Sequence, residues 1–143
     1  MSNHSISRGT KEESEYVRNR LIAFNDETVP SDLNRNYEEI NLTLKNDTGD
    51  IIGGLNSVWC WNWIEVDILW VDQNYRGMDY GSKLLTEIEE IAKEKKCTFI
   101  KLNTFSFQAP DFYLKKGYNV IGVIENAPRG FKHYYFMKEL ETR

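Results

Sequence analysis

The chain has 143 residues, 41% hydrophobic and 28% charged, a globular balance that argues against disorder and fits one compact domain over residues 1–143. A formal charge of −4 argues against nucleic acid as a partner, since phosphate binding needs a basic face; it suits a cationic substrate or simple solubility. Cys60 and Cys97 form no CxxC pair and only His4 and His133 accompany them, so no metal is expected, and free thiols point to a reducing, cytoplasmic compartment.

The first twenty residues are polar and charged, and no run approaches the length of a membrane span, so no membrane partner is expected. Residues 4–9 read as a short first strand. From Lys11 to about Asn25, Tyr16, Val17, Leu21, Ile22 and Phe24 recur at mostly helical spacing behind a Thr10 or Ser14 cap. Val29-Pro30-Ser31-Asp32 breaks that pattern, and residues 32–39 read as a short helix or a loop. Ile40, Leu42 and Leu44 then alternate with polar residues, and Asp47-Thr48-Gly49-Asp50 turns the chain into IIGGLNSVW, a hairpin signal.

A third strand, WIEVDILWV at 63–71, runs through the loop DQNYRGMDYG into an amphipathic helix over Ser82–Lys95, with Leu84, Leu85, Ile88, Ile91 and Ala92 as its apolar stripe. A strand at 98–105 follows, then a short helix from about Ala109 to Lys116 that ends at Gly117, a natural position beyond a helix end. Two strands around the turn NAPRG close the chain. This alternation is that of an α/β fold, a mixed sheet covered by helices.

The segment at 66–92 carries the most chemistry. A strand feeds a loop with Arg76, Gly77 and Gly81, and a helix starts at once. Unpaired amides and the helix dipole at such a start attract a phosphate, and glycines let the backbone approach it. There is no G-x-G-x-x-G and no G-K-[ST], so neither a dinucleotide fold nor a nucleotide-hydrolysing loop fits.

In this segment the chain resembles the GCN5-related N-acetyltransferase (GNAT) superfamily. The family's R/Q-x-x-G-x-G/A signature falls on Arg76-Gly77-Met78-Asp79-Tyr80-Gly81, after a strand closed by Val71. A second family pattern, A-x-x-x-Y-x-x-x-G-[FY], falls on Ala109, Tyr113, Gly117 and Tyr118. The chain departs from the family at Asp79, where a glycine is usual, and at Ser106, where many relatives carry Asn. Asp tolerates unusual backbone angles, so the loop keeps its shape; a carboxylate beside a pyrophosphate weakens binding unless it faces solvent or pairs with Arg76.

The resemblance implies a single-domain GNAT-like fold with a mixed, mostly antiparallel sheet flanked by helices. It implies acetyl-CoA as cosubstrate and direct attack by the amine of a small molecule or peptide, with no acyl-enzyme. Arg76, Gly77, Met78, Asp79, Tyr80, Gly81 and Ser82 would hold the pyrophosphate. Leu69, Trp70 and Val71 would line the pantetheine arm, with Ser106 and Ala109 beside it. Tyr113 would be the general acid toward the leaving sulfur. Glu65 and Asp67, alternating onto one face of their strand, are the candidate bases, with Asp67 preferred and ordered water as a substitute for either. Trp59, Trp61 and Trp63 form either an acceptor wall or core and dimer surface; His133 and Arg129 come from the last hairpin toward the acceptor. A homodimer through exposed edges and FKHYYFMKEL is left open. The alternative function, motivated by Asp79, is a CoA-binding module with weak or lost catalysis.

Overall fold

A computed structural model describes residues 3–141, with the backbone alone at 34–36. The chain divides into two compact units, residues 1–35 and 36–143. In the first, residues 4–9 carry no strand, and helix α1 runs over Lys11–Thr28. Thr10 caps it: its hydroxyl accepts from the Glu13 amide, and the Glu13 carboxylate accepts from the Thr10 amide, a reciprocal box. The helix buries no side chain.

Strand β1 spans Asn34–Lys45, so residues expected as a short helix or loop begin a strand instead. The apolar alternation at Ile40, Leu42 and Leu44 extends its period backward through a polar stretch whose composition hides it. β2 (Ile51–Trp61) and β3 (Trp63–Val71) follow, then a single helical turn at Gln73–Tyr75 and helix α2 (Tyr80–Glu94). β4 (Phe99–Phe105), α3 (Pro110–Lys115), β5 (Asn119–Glu125) and β6 (Lys132–Glu139) complete the order.

The six strands form one sheet in the order β1-β2-β3-β4-β6-β5. The β3–β4 pair is parallel, and the other pairs described are antiparallel. Parallel neighbours need a crossover, and α2 supplies it. Its stripe packs Leu84, Leu85, Ile88 and Ala92 onto Leu55, Ile64, Val66, Ile100, Leu102 and Phe136. β6, which carries the aromatic stretch, lies inside the sheet, and β5 is the outer strand. Among the described residues no helix is long and apolar enough to cross a membrane.

Two irregularities in β3 shape the site. The register against β2 steps from Asn56↔Ile68 to Ser57↔Val66, leaving Asp67 as an extra residue in a bulge. The parallel pairing with β4 covers Trp63↔Phe99 to Val66↔Leu102 and ends there, so the two strands part just where the bulge sits.

Candidate functional site

The bulge resets the side-chain phase of β3. Before it, Ile64 and Val66 face the helix α2; after it, Leu69 and Val71 do, both packed against the same core. Trp70 is turned away and is 46% exposed. Backbone direction follows the same alternation. The Asp72 amide donates to the Ile52 carbonyl on β2, at 2.7 Å, so the amides of Val71 and Leu69 point the other way, into the gap beside β4. The Val71 carbonyl, on that same side, accepts from Arg76 Nε at 3.1 Å.

Helix α2 begins two residues earlier than its sequence pattern indicates. Asp79 precedes it at φ 67, ψ 16, a left-handed conformation, and its side chain caps nothing. The first intrahelical bond runs from the Lys83 amide to the Asp79 carbonyl, which leaves the amides of Tyr80, Gly81 and Ser82 as the unpaired donors of the first turn. Gly77, at φ 83, takes a conformation that a side chain would resist. Arg76 is tied to Val71, and no ion pair with Asp79 is present among the described residues.

A cavity of about 550 Å³ opens at these amides. It is lined by Leu69, Val71, Tyr75, Arg76, Gly77, Asp79, Tyr80, Gly81 and Ser82 on one side, and by Ala109, Phe112, Tyr113, Lys115 and Lys116 on the other. A second cavity of about 160 Å³ fills the gap between β3 and β4, lined by Val66, Asp67, Ile68, Leu69, Leu102, Asn103, Thr104, Gln108, Ala109 and Tyr113. The two share Leu69, Ala109 and Tyr113, and so make one trench from the helix start to the parted strands. A third, of about 220 Å³, meets the gap at Asp67 and Ile68 and is otherwise lined by Glu39, Asn41, Asn56, Ser57 and Val58.

Tyr113 stands where the first two cavities join, 7% exposed, between Phe112, Tyr118 and Phe136. Burial pushes its phenol up to about 12. Asp67 stands where the second and third meet. Its carboxyl is held above the ordinary value by partial burial, and further by the charge of Glu39.

Of the residues picked from sequence, Leu69, Val71, Arg76, Gly77, Asp79, Tyr80, Gly81, Ser82, Ala109, Tyr113 and Asp67 line these cavities, and Trp70, Met78, Ser106 and Glu65 do not. Met78 is 55% exposed. Ser106 is bonded to β6, its amide donating to the Lys132 carbonyl and its hydroxyl accepting from the Lys132 amide. Glu65 lies before the bulge, opposite Val58 on β2 and Lys101 on β4. The three tryptophans meet around the β2–β3 turn, the Trp59 indole N–H donating to the Trp61 carbonyl at 3.1 Å and the Trp61 and Trp63 rings lying edge-on with centroids 5.4 Å apart. Trp59 packs on the core under Lys95, Trp61 takes φ 49 at the hairpin turn, and Trp63 stacks on Phe99. His133 hydrogen-bonds Asn103 Oδ1 at 2.9 Å and stacks on Phe105. Sequence reasoning passed over Lys115, Lys116, Gln108 and Glu39. Two adjacent lysines beside the Gly117 stop were a readable signal in an acidic chain; Glu39 was not, because its strand was not.

Cys97 is buried and its thiol is pushed up to about 11 by burial, the environment of an inert structural cysteine. No group of three or more potential metal ligands is gathered among the described residues.

A parallel pair that parts at a bulge thus lies beside a helix start rich in free amides, with one trench running between them. The chain belongs to the acetyltransferase (GNAT) family, whose model matches residues 10–118, and it is an acyltransferase. It is 38% identical over 95 residues to a blasticidin-S acetyltransferase of Streptomyces morookaense, covering 66% of this chain and 70% of that one. The crystal structure of an acetyltransferase from Bacillus cereus superposes with a TM-score of 0.90 at 43% identity, over 96% of this chain and 98% of that one. The same fold, at 23% identity and a TM-score of 0.64 over 72% of this chain and 63% of the other, occurs in a streptothricin acetyltransferase of Bacillus anthracis in complex with acetyl-CoA.

Proposed function

We propose that this enzyme moves the acetyl group of acetyl-CoA directly to the amine of a small, cationic molecule. The observation that carries this is the continuous trench, with free amides at one end and Tyr113 and the parted strands at the other. The amides of Tyr80, Gly81 and Ser82 would hold the pyrophosphate, with the ammonium groups of Lys115 and Lys116 nearby. Leu69, Val71 and Ala109 give the apolar wall a pantetheine arm needs. The Leu69 amide, lacking a strand partner in the gap, would donate to the thioester carbonyl oxygen and stabilise the negative charge that grows there.

The amine attacks the carbonyl carbon as a neutral group, and a C–N bond forms while the C–S bond breaks. Tyr113 supplies a proton to the sulfur, and the proton lost by the nitrogen goes to Asp67 or to water that Asp67 holds. A raised carboxyl is a better base than an ordinary one. The cavity beyond Asp67, with Glu39, Asn41 and Asn56, offers negative charge and amide groups to an ammonium-bearing acceptor. The relative named for blasticidin S supports a small molecule over a peptide.

The test is release of CoA from acetyl-CoA over a panel of blasticidin S, streptothricins, aminoglycosides, polyamines, amino acids and short peptides. Turnover with small cationic amines is the expected result. Binding of acetyl-CoA with no turnover on any member would return the reading to a CoA-binding module.

A further inference from the structure

A polar group outside the trench ties its two walls together. The Tyr118 hydroxyl donates to Glu89 Oε2 at 2.8 Å. Lys138 Nζ lies 3.3 Å from both Glu89 oxygens and donates to the Lys116 carbonyl at 2.9 Å. Tyr118 is 1% exposed, and the Glu89 and Lys138 side chains only 13% and 29%. Burying an ion pair is not in itself a source of stability, so its placement needs another reason.

The geometry supplies one. Glu89 sits on α2, whose first turn carries the free amides; Lys138 sits on β6; the Lys116 carbonyl ends α3, which carries Tyr113. α3 has six residues and no side-chain cap at its start, too short to hold its own direction. Its end is closed locally by the Tyr118 amide on the Tyr113 carbonyl at 3.0 Å across Gly117, and it is held from another element by Lys138 on the Lys116 carbonyl. We infer that Glu89, Lys138 and Tyr118 are positioning residues that lock α3 to α2 and so fix the Tyr113 hydroxyl relative to the cofactor amides. This rests on the reading of Tyr113 as general acid.

The lock makes a prediction that packing alone does not. Glu89→Gln and Tyr118→Phe should each lower kcat about tenfold, as a small misplacement of a catalytic group does, while KM for acetyl-CoA changes less than about twofold. In a Tyr113→Phe background, Glu89→Gln should cost nothing further, because it acts through that hydroxyl. Lys138→Arg keeps the charge and should retain most of the rate. A full additional loss in the Tyr113→Phe background, or an equal loss of acetyl-CoA affinity, would overturn the inference. Hydrogen exchange separates the lock from the reading beneath it. Faster exchange at the Gly117 and Tyr118 amides in Glu89→Gln, with α2 unchanged, upholds the lock even where Tyr113→Phe turns over at the wild-type rate. Unchanged exchange overturns it.

Discussion

Tyr113 keeps its proton throughout the working range, because burial moves its phenol up to about 12. It is therefore protonated at neutral pH, and after donating to the sulfur in the proposed step it must take up a proton again before the next turnover. Tyr113→Phe keeps the ring among Phe112, Tyr118 and Phe136, so the fold and acetyl-CoA binding should hold while kcat falls by roughly 10²–10⁴-fold. Steady-state kinetics with the acceptor found by the panel decides it; an unchanged kcat ends the general-acid role. Asp67 makes a second prediction with a definite sign. Its folded value lies above the unfolded 3.8, so the native state holds that proton more tightly and loses stability as pH rises through the folded value. Asp67→Asn should melt above wild type at neutral pH and at the same temperature below about pH 3.8. A melting-temperature series over pH reads the difference, and a gain that persists in acid would assign it to packing. At this scale the sequence marked Tyr113 by a spacing and Asp67 as an acid inside an apolar strand, and both line the cavities. The bulge adds a residue to β3, so strict alternation does not carry across it from Glu65 to Leu69.

Among the elements, the loop before α2 shows how far a residue can depart from a motif without breaking it. Asp79, where a glycine is usual in the family, adopts a left-handed conformation at φ 67. Non-glycine residues find that region unfavourable, and Asp is among the most tolerant of them. Asp79→Gly removes this strain and adds freedom to the unfolded chain, effects that oppose each other within about 1 kcal/mol. The melting temperature of the free enzyme should therefore move little. Affinity for acetyl-CoA should rise, since Asp79 lines the cavity where the phosphates are proposed to sit and its carboxylate has no ion pair among the described residues. Titration calorimetry gives the comparison, and an unchanged Kd would mean that the carboxylate faces away from the phosphates. α2 itself was legible from its stripe, and α3 from its stop at Gly117. The start of β1 was not, because Asn34 to Glu39 is polar on both faces and only pairing with β2 makes it a strand.

For the molecule as a whole, the site exists only when distant segments meet. β3 and α2 are neighbours in sequence, but Ala109 and Tyr113 arrive from α3, Asn103 and Gln108 from β4 and the loop after it, and Glu39 from β1. Hydrophobic pattern revealed an α/β fold, and the family resemblance supplied its sheet; neither states that β3 and β4 part after Val66, which is a property of pairing. A ligand that needs all of these parts binds the folded chain and not the unfolded one, and must stabilise it. At a hundred times its Kd, acetyl-CoA should add about 2.7 kcal/mol, which for a domain of this length corresponds to a rise of roughly 6–10 °C in Tm. The rise should grow with the logarithm of acetyl-CoA concentration, and free CoA should reproduce most of it, because the proposed phosphate and pantetheine contacts do not involve the acetyl group. Alanine at Leu69 should reduce it by loss of apolar wall, and proline at Gly81 should abolish it by deleting an amide of the first turn. Thermal melts across a concentration series measure all of these. No shift at millimolar acetyl-CoA would remove the trench as its site, whatever the turnover assays return.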